Sequence, residues 1–162
     1  MRRAGVTLLA LAIFVSGPLA AGRLLDQIDA IFKFENPAIT DFFEDYARSS
    51  GVKTVRHYRA DEMPKTKIHP LQLNCGAGLR GEVLIDTTRK TCVTMMYLAH
   101  ETTHIYQNKR GCRGHGPKFY AALTRIAKKF ESRFPGVKWD GRTPSAAVAK
   151  QAQEYQTPET CN

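Results

Sequence analysis

His100, Glu101, Thr102, Thr103 and His104 read HETTH, two imidazoles four positions apart with a carboxylate beside the first. On an α-helix that spacing is about one turn, so both rings leave the same face and can converge on one cation. Glu101 is left free to act as a base. Zinc held this way performs hydrolysis: it acidifies water to a pKa of roughly 7 and polarises a carbonyl. Eleven positions after His104 comes His115, set in Gly114-His115-Gly116-Pro117. Three protein ligands with one open position describe a catalytic zinc, whereas four closed ligands describe a structural one. The flanking glycines permit a sharp turn, and Pro117 suits the first turn of a following helix. The expected cofactor is Zn2+, held by His100, His104 and His115, with Glu101 as the catalytic base. His57 and His69 have no ligand-like partner nearby and read as ordinary hydrogen-bonded histidines.

A ligand helix must be buried to hold its rings firmly and keep bulk water out. The stretch from Cys92 to Gln107, CVTMMYLAHETTHIYQ, supplies Val93, Met96, Tyr97, Leu98 and Ile105 for that purpose. Together HETTHIYQ (100 to 107) and GHGPKFYAAL (114 to 123) resemble the SprT-like zinc peptidases, the family that includes the Spartan DNA-protein crosslink proteases. The GHGxxF element is the narrower part of the match, since HExxH is shared by many families. The resemblance implies zinc ligation by His100, His104 and His115, general-base duty for Glu101 and a packing role for Phe119. It also implies an α+β, zincin-like domain: a small antiparallel or mixed sheet, a buried HExxH helix and flanking helices.

Met1, Arg2 and Arg3 precede an uncharged stretch from Ala4 to Ala21, with LLALAIFV at its centre and small residues at its exit. This is the outline of a secretory signal peptide over residues 1–21, cleaved after Ala20, Ala21 or Gly22. A short membrane anchor is the competing reading, although Gly17-Pro18 shortens the apolar segment below the roughly 20 residues a spanning helix needs. Both put the remainder, residues 22–162, outside the cytoplasm, in the periplasm or secreted. In such a compartment Cys75, Cys92, Cys112 and Cys161 can form two disulfides, in any of three pairings. The working expectation is Cys75 with Cys92 and Cys112 with Cys161, which would tie the loop before His115 and the C-terminal tail to the body. No CxxC occurs among them, so a separate zinc ribbon has no support.

Residues 22–162 suit one domain with a core of its own. Leu24 to Ser50 is apolar-periodic and broken by Asn36-Pro37, predicting two helices stopped by Gly51. Val52 to Tyr58, Leu71 to Leu73 and Glu82 to Asp86 read as short strands around a proline-containing loop at 63–70. The ligand helix is expected over Thr88 to Asn108, with Asp86, Thr87 and Thr88 as capping candidates. Phe119, Leu123, Ile126, Ala127, Phe130 and Phe134 form the core stripe of a helix ending before Pro135. A short helix fits Ser145 to Tyr155, in a tail that shows no catalytic motif.

The formal net charge is +9, and loss of Arg2 and Arg3 with the leader leaves the chain strongly basic. Lys109, Arg110, Arg113, Lys118, Arg125, Lys128, Lys129 and Arg133 bracket His115 against the single acid Glu131. Over residues 118–133 these make an electrostatic surface for an anionic polymer, cell wall or nucleic acid, or simply a solvated helix face. The expected partner is a protein or peptide substrate, cleaved by a monomer. Export argues against the chromosomal role that the family resemblance alone would imply. Two other classes remain open: a zinc-dependent peptidoglycan hydrolase, and a non-catalytic, zinc-stabilised nucleic-acid-binding module. Glu101 counts against the latter, because a structural site has no use for a base. The oxyanion donor is unassigned among Tyr106, Tyr120, Tyr155 and His57, and Glu82 to Asp86 is expected to be the edge strand that aligns substrate.

Overall fold

The Asn36-Pro37 break and the glycine at 51 set the first two helices. In a computed structural model, which describes residues 23–58 and 75–162, α1 spans Leu24–Phe32 and α2 spans Pro37–Ser50. The Asn36 side chain accepts from the Ala38 amide at 3.0 Å and Pro37 occupies the first turn, while Gly51 closes α2 in the left-handed conformation, φ 88°. The apolar leader, the loop at 63–70 with His69, and the strand expected at Leu71 to Leu73 lie outside the described residues.

Three strands follow: β1 (Thr54–Tyr58), β2 (Gly76–Leu79) and β3 (Glu82–Asp86). β2 and β3 form an antiparallel hairpin whose turn residues, Arg80 and Gly81, both have positive φ, 50° and 86°. That is the backbone a tight two-residue hairpin requires. β1 adds to β3 in parallel, Val55 opposite Val83, so the sheet order is β1-β3-β2. Glu82 to Asp86 is therefore the central strand, and its expected role as the substrate-aligning edge is corrected. With Val83 and Ile85 fully buried, this segment is the most apolar of the three and takes the most covered position. β2, which was not anticipated, is one edge and β1 the other.

The ligand helix α3 spans Met95–Asn108, seven residues later at its start than expected. A single 3-10 turn at Lys90–Cys92 precedes it, where the Cys75–Cys92 disulfide ties the chain to the beginning of β2. The cap is Thr94, whose hydroxyl accepts from the Tyr97 amide. Asp86 instead bonds the amide and hydroxyl of Thr88, at 2.9 and 2.5 Å, and so shapes the loop after β3.

Beyond α3 come β4 (Cys112–Arg113), α4 (Pro117–Arg133), α5 (Pro144–Glu154) and β5 (Thr160–Cys161), the last paired antiparallel with β4. The described residues are thus α+β, five helices with one three-stranded and one two-stranded sheet. α3 lies at the centre, packed by β2 and β3 on one side and by α2 and α4 on the other. The expected stripe of α4 is buried throughout, and Phe130 stands at the meeting point of Phe42, Phe43, Phe134 and Trp139, with ring centroids 4.8 to 5.7 Å away. Both disulfides have the expected pairing, Cys75–Cys92 and Cys112–Cys161.

Phe130 is fully buried among four aromatic rings, so Phe130→Ala is expected to lower stability by about 3–5 kcal/mol through lost transfer energy and the cavity left behind. Denaturant unfolding of the oxidised protein reads this. A loss under about 1 kcal/mol would mean that these rings do not form the packed junction of α2 with α4.

Candidate metal centre

His100 and His104 leave the same face of α3, and the loop between β4 and α4 brings His115 to meet them. Their Nε2 atoms stand 3.0 Å (His100 to His115), 3.2 Å (His100 to His104) and 2.9 Å (His104 to His115) apart. All three expected ligands are brought together, and the group can hold a metal ion. Phe119 lies under them, fully buried, its ring centroid 4.6 to 4.8 Å from each imidazole. It is the floor of the site, the packing role that the motif implied.

Three ring nitrogens at these separations cannot satisfy one another, because a neutral imidazole has one donor and one acceptor. The Nδ1 atoms of two rings already have partners. His100 Nδ1 is 2.8 Å from Gln151 Oε1, and His115 Nδ1 is 3.1 Å from Thr157 Oγ1. An imidazole that lends Nε2 to a cation keeps its proton on Nδ1, and these two oxygens are acceptors placed to hold it there. Tetrahedral zinc with Zn–N bonds of 2.0–2.1 Å sets its nitrogens about 3.3 Å apart, close to the spacing found.

Burial sets the protonation of the site. It drives the pKa of His104 down to about 3 and that of His115 to about 4, and holds His100 well below the ordinary histidine value, the neighbouring imidazoles adding to the effect on His100 and His104. The rings are therefore neutral at physiological pH, the form in which imidazole binds metal. Burial also raises Glu101 to about 8, against the pull of the Gly78 backbone amide. Its carboxyl holds a proton above the usual carboxylate range while no positive charge stands beside it.

A cavity of about 970 Å³ opens over the cluster, walled by β2, by Tyr97 and Glu101 of α3, and by Gln151, Tyr155 and Thr157. β2 reaches α3 because it is glycine-rich there. A Cβ at Gly78 would stand 2.4 Å from the Glu101 carbonyl oxygen and 2.8 Å from His104 Cβ; one at Gly76 would stand 3.0 Å from Glu101 Cγ. Asn108 Nδ2 donates to the Gly78 carbonyl at 3.2 Å and stitches the two elements together.

No family model, curated protein or solved structure matches the chain.

The candidate oxyanion donors separate cleanly. Tyr106 lies beneath the Arg110 guanidinium, 3.8 Å from its ring centroid, and lines a different cavity. The Tyr120 hydroxyl donates to the backbone carbonyls of Gln151 and Tyr155, and His57 is exposed on β1, the far edge of the sheet. Tyr155 stays in the site, its ring 4.6 Å from that of His115 and its side chain lining the Glu101 cavity. Tyr97, not among the candidates, lines the same cavity. The basic residues divide as well. Arg113 borders the histidine cavity, whereas Arg110, Lys118 and Arg125 surround a second one of about 390 Å³.

Sequence reasoning missed Gly76, Gly78, Gln151 and Thr157. Gly-Ala-Gly carries no strand signal, and Gln151 and Thr157 stand in a polar tail. The available signal was the Cys112–Cys161 pairing, since a bond three residues before His115 brings that tail to the site.

Replacing Gly78 with alanine is expected to push β2 off α3. The predicted result is a loss of stability of about 1–3 kcal/mol with weakened metal uptake, read by thermal unfolding with and without Zn2+. A Gly78→Ala protein as stable as the parent would show that the close approach of β2 is dispensable.

Proposed function

We propose that this chain is an exported zinc-dependent peptidase with a zincin-like fold of the SprT-like kind, hydrolysing peptide bonds in protein substrates. The observation that carries the reading is the meeting of three neutral imidazole nitrogens within 3.2 Å of one another, two of them on a helix that also presents a buried carboxyl, Glu101, to an open cavity. His100, His104 and His115 would hold the zinc, which when bound supplies the Lewis acidity that makes water reactive and polarises a carbonyl.

The remaining work belongs to the chain. Glu101, in its carboxylate form, takes a proton from the attacking water and delivers it to the nitrogen of the departing amine; burial disfavours that form, and the charge of a cation held by the neighbouring histidines would restore it. The Tyr155 hydroxyl is the donor to the carbonyl oxygen as negative charge develops on it. Phe119 beneath the rings excludes water from the protein side of the cluster. β2, in place of Glu82 to Asp86, is the sheet edge beside which an extended substrate lies. Two disulfides suit the oxidising compartment to which the leader points, and no helix among the described residues is long and apolar enough to cross a membrane.

The test compares the full oxidised chain, loaded with Zn2+, with Glu101→Gln shown to bind the same amount of metal. Cleavage of an unfolded protein is expected to fall about 100- to 10,000-fold in the variant. Equal cleavage by both would remove Glu101 as base, and no cleavage by either at full metal loading would remove proteolysis itself. Tyr155→Phe is expected to lower kcat about 100-fold with little change in KM, because the hydroxyl acts only as charge develops. A rise in KM at unchanged kcat would make Tyr155 a substrate-binding residue instead.

A further inference from the structure

The three histidines are not held alike. His100 and His104 belong to α3 and share its rigidity. His115 stands in a connection between Gly114 and Gly116, where the backbone is freest. Something else must fix it, and that is the segment after α5.

Thr157 Oγ1 accepts the backbone N–H of His115 at 2.9 Å and lies 3.1 Å from its Nδ1, so one hydroxyl grips the ligand by main chain and ring together. Two residues on, Glu159 accepts from the amides of Lys118 and Phe119, at 3.0 and 3.1 Å, and from Gln107 Nε2 at 3.0 Å. α4 has no side-chain cap of its own at Gly116, so Glu159 supplies that cap from outside, with its charge at the positive end of the helix. Gln107 Nε2 also donates to the Gly114 carbonyl at 3.0 Å, tying the connection back to α3. Two residues further, Cys161 is bonded to Cys112 where β5 pairs with β4.

Residues 157, 159 and 161 alternate as one side of an extended chain does, and each grips the connection that carries His115. The two glycines admit this strap. A Cβ at Gly114 would stand 2.1 Å from the Pro158 carbonyl oxygen, and one at Gly116 2.4 Å from Glu159 Cβ.

We propose that Thr157 is the positioning residue of the third metal ligand, and that residues 157–161, closed by Cys112–Cys161, form a strap that sets the metal affinity of the site through His115. This rests on the three histidines being metal ligands. Removing the partner that orients a ligating imidazole typically costs about 10- to 100-fold in metal affinity.

The measurement is the Zn2+ affinity of the full oxidised chain by chelator competition, with the visible spectrum of bound Co2+ as a second readout. Thermal unfolding of each metal-free protein controls for fold. Thr157→Val is expected to weaken Zn2+ binding about 10- to 100-fold and to change the cobalt spectrum, while Thr157→Ser, which keeps the hydroxyl, restores both. The double variant Cys112→Ser with Cys161→Ser, which frees the strap and leaves Thr157 in place, is expected to weaken binding in the same range. Parent-like affinity and spectrum in Thr157→Val would overturn the inference, as would Thr157→Ser binding as weakly as the valine variant. Unchanged affinity in the double variant would remove the strap. If the parent itself binds no Zn2+, the metal-site reading falls along with the inference; if the parent binds and Thr157→Val binds equally, only the inference falls.

Discussion

Three imidazole nitrogens aimed at one point, about 3 Å from one another at the floor of a cavity, make an arrangement that the rings cannot satisfy among themselves. Their lone pairs repel, and partial burial limits the solvent that would relieve them. The cost is local, and the surrounding structure is arranged to sustain it. Phe119 closes the floor, Gln151 and Thr157 fix two rings by their outer nitrogens, and β2 covers Glu101. A bound divalent ion would turn the same convergence from the least favourable contact in the protein into one of the most favourable.

That constraint explains the orientation of α3. The helix turns His100, His104 and Glu101 toward the cavity, so Thr102 and Thr103 face inward and are fully buried. Two hydroxyls in a core need partners. Thr103 donates to the Ala99 carbonyl at 2.7 Å and meets the Tyr46 hydroxyl at 2.7 Å, where burial pushes the tyrosine up to about 12. α2 is thereby tied to the back of α3, opposite the face that carries His100 and His104. Among the described residues Thr102 Oγ1 has no hydrogen-bond partner, a remaining cost of turning the motif this way.

The site was legible where its information is local, and illegible where the information is held between distant segments. Two histidines one helical turn apart, a glycine-flanked third and an apolar stripe on α4 declare themselves within a few residues each. The start of α3 did not: it was read at Thr88 from the capping residues Asp86, Thr87 and Thr88, whereas the 3-10 turn at Lys90–Cys92, the Cys92 disulfide and the Thr94 cap begin the helix at Met95. β2 has two glycines in four residues and would be dismissed by any strand propensity, yet close approach to Glu101 and His104 is what demands them. The central place of β3 depends on which strands pair, which no single segment encodes. Gln151 of α5 and Thr157 and Glu159 beyond it act on groups 40 to 52 residues earlier, so their polar local setting shows nothing of their role.

The disulfides complete the same logic. Cys75–Cys92 joins the start of β2 to the approach of α3, and Cys112–Cys161 joins the connection before His115 to the strap that holds it. Each closes one of the two non-helical walls of the cavity. Their sequence separations of 17 and 49 residues correspond to about 3 and about 4 kcal/mol of unfolded-state entropy removed. Three of the basic residues that bracket His115 in sequence, Arg110, Lys118 and Arg125, by contrast lie around the second cavity, and the histidines themselves are neutral. Covalent closure and desolvation, more than long-range charge, therefore shape this site. In a reducing compartment both non-helical walls would lose their closure, so the arrangement of the histidine site is compatible with an oxidising compartment and depends on its two disulfides.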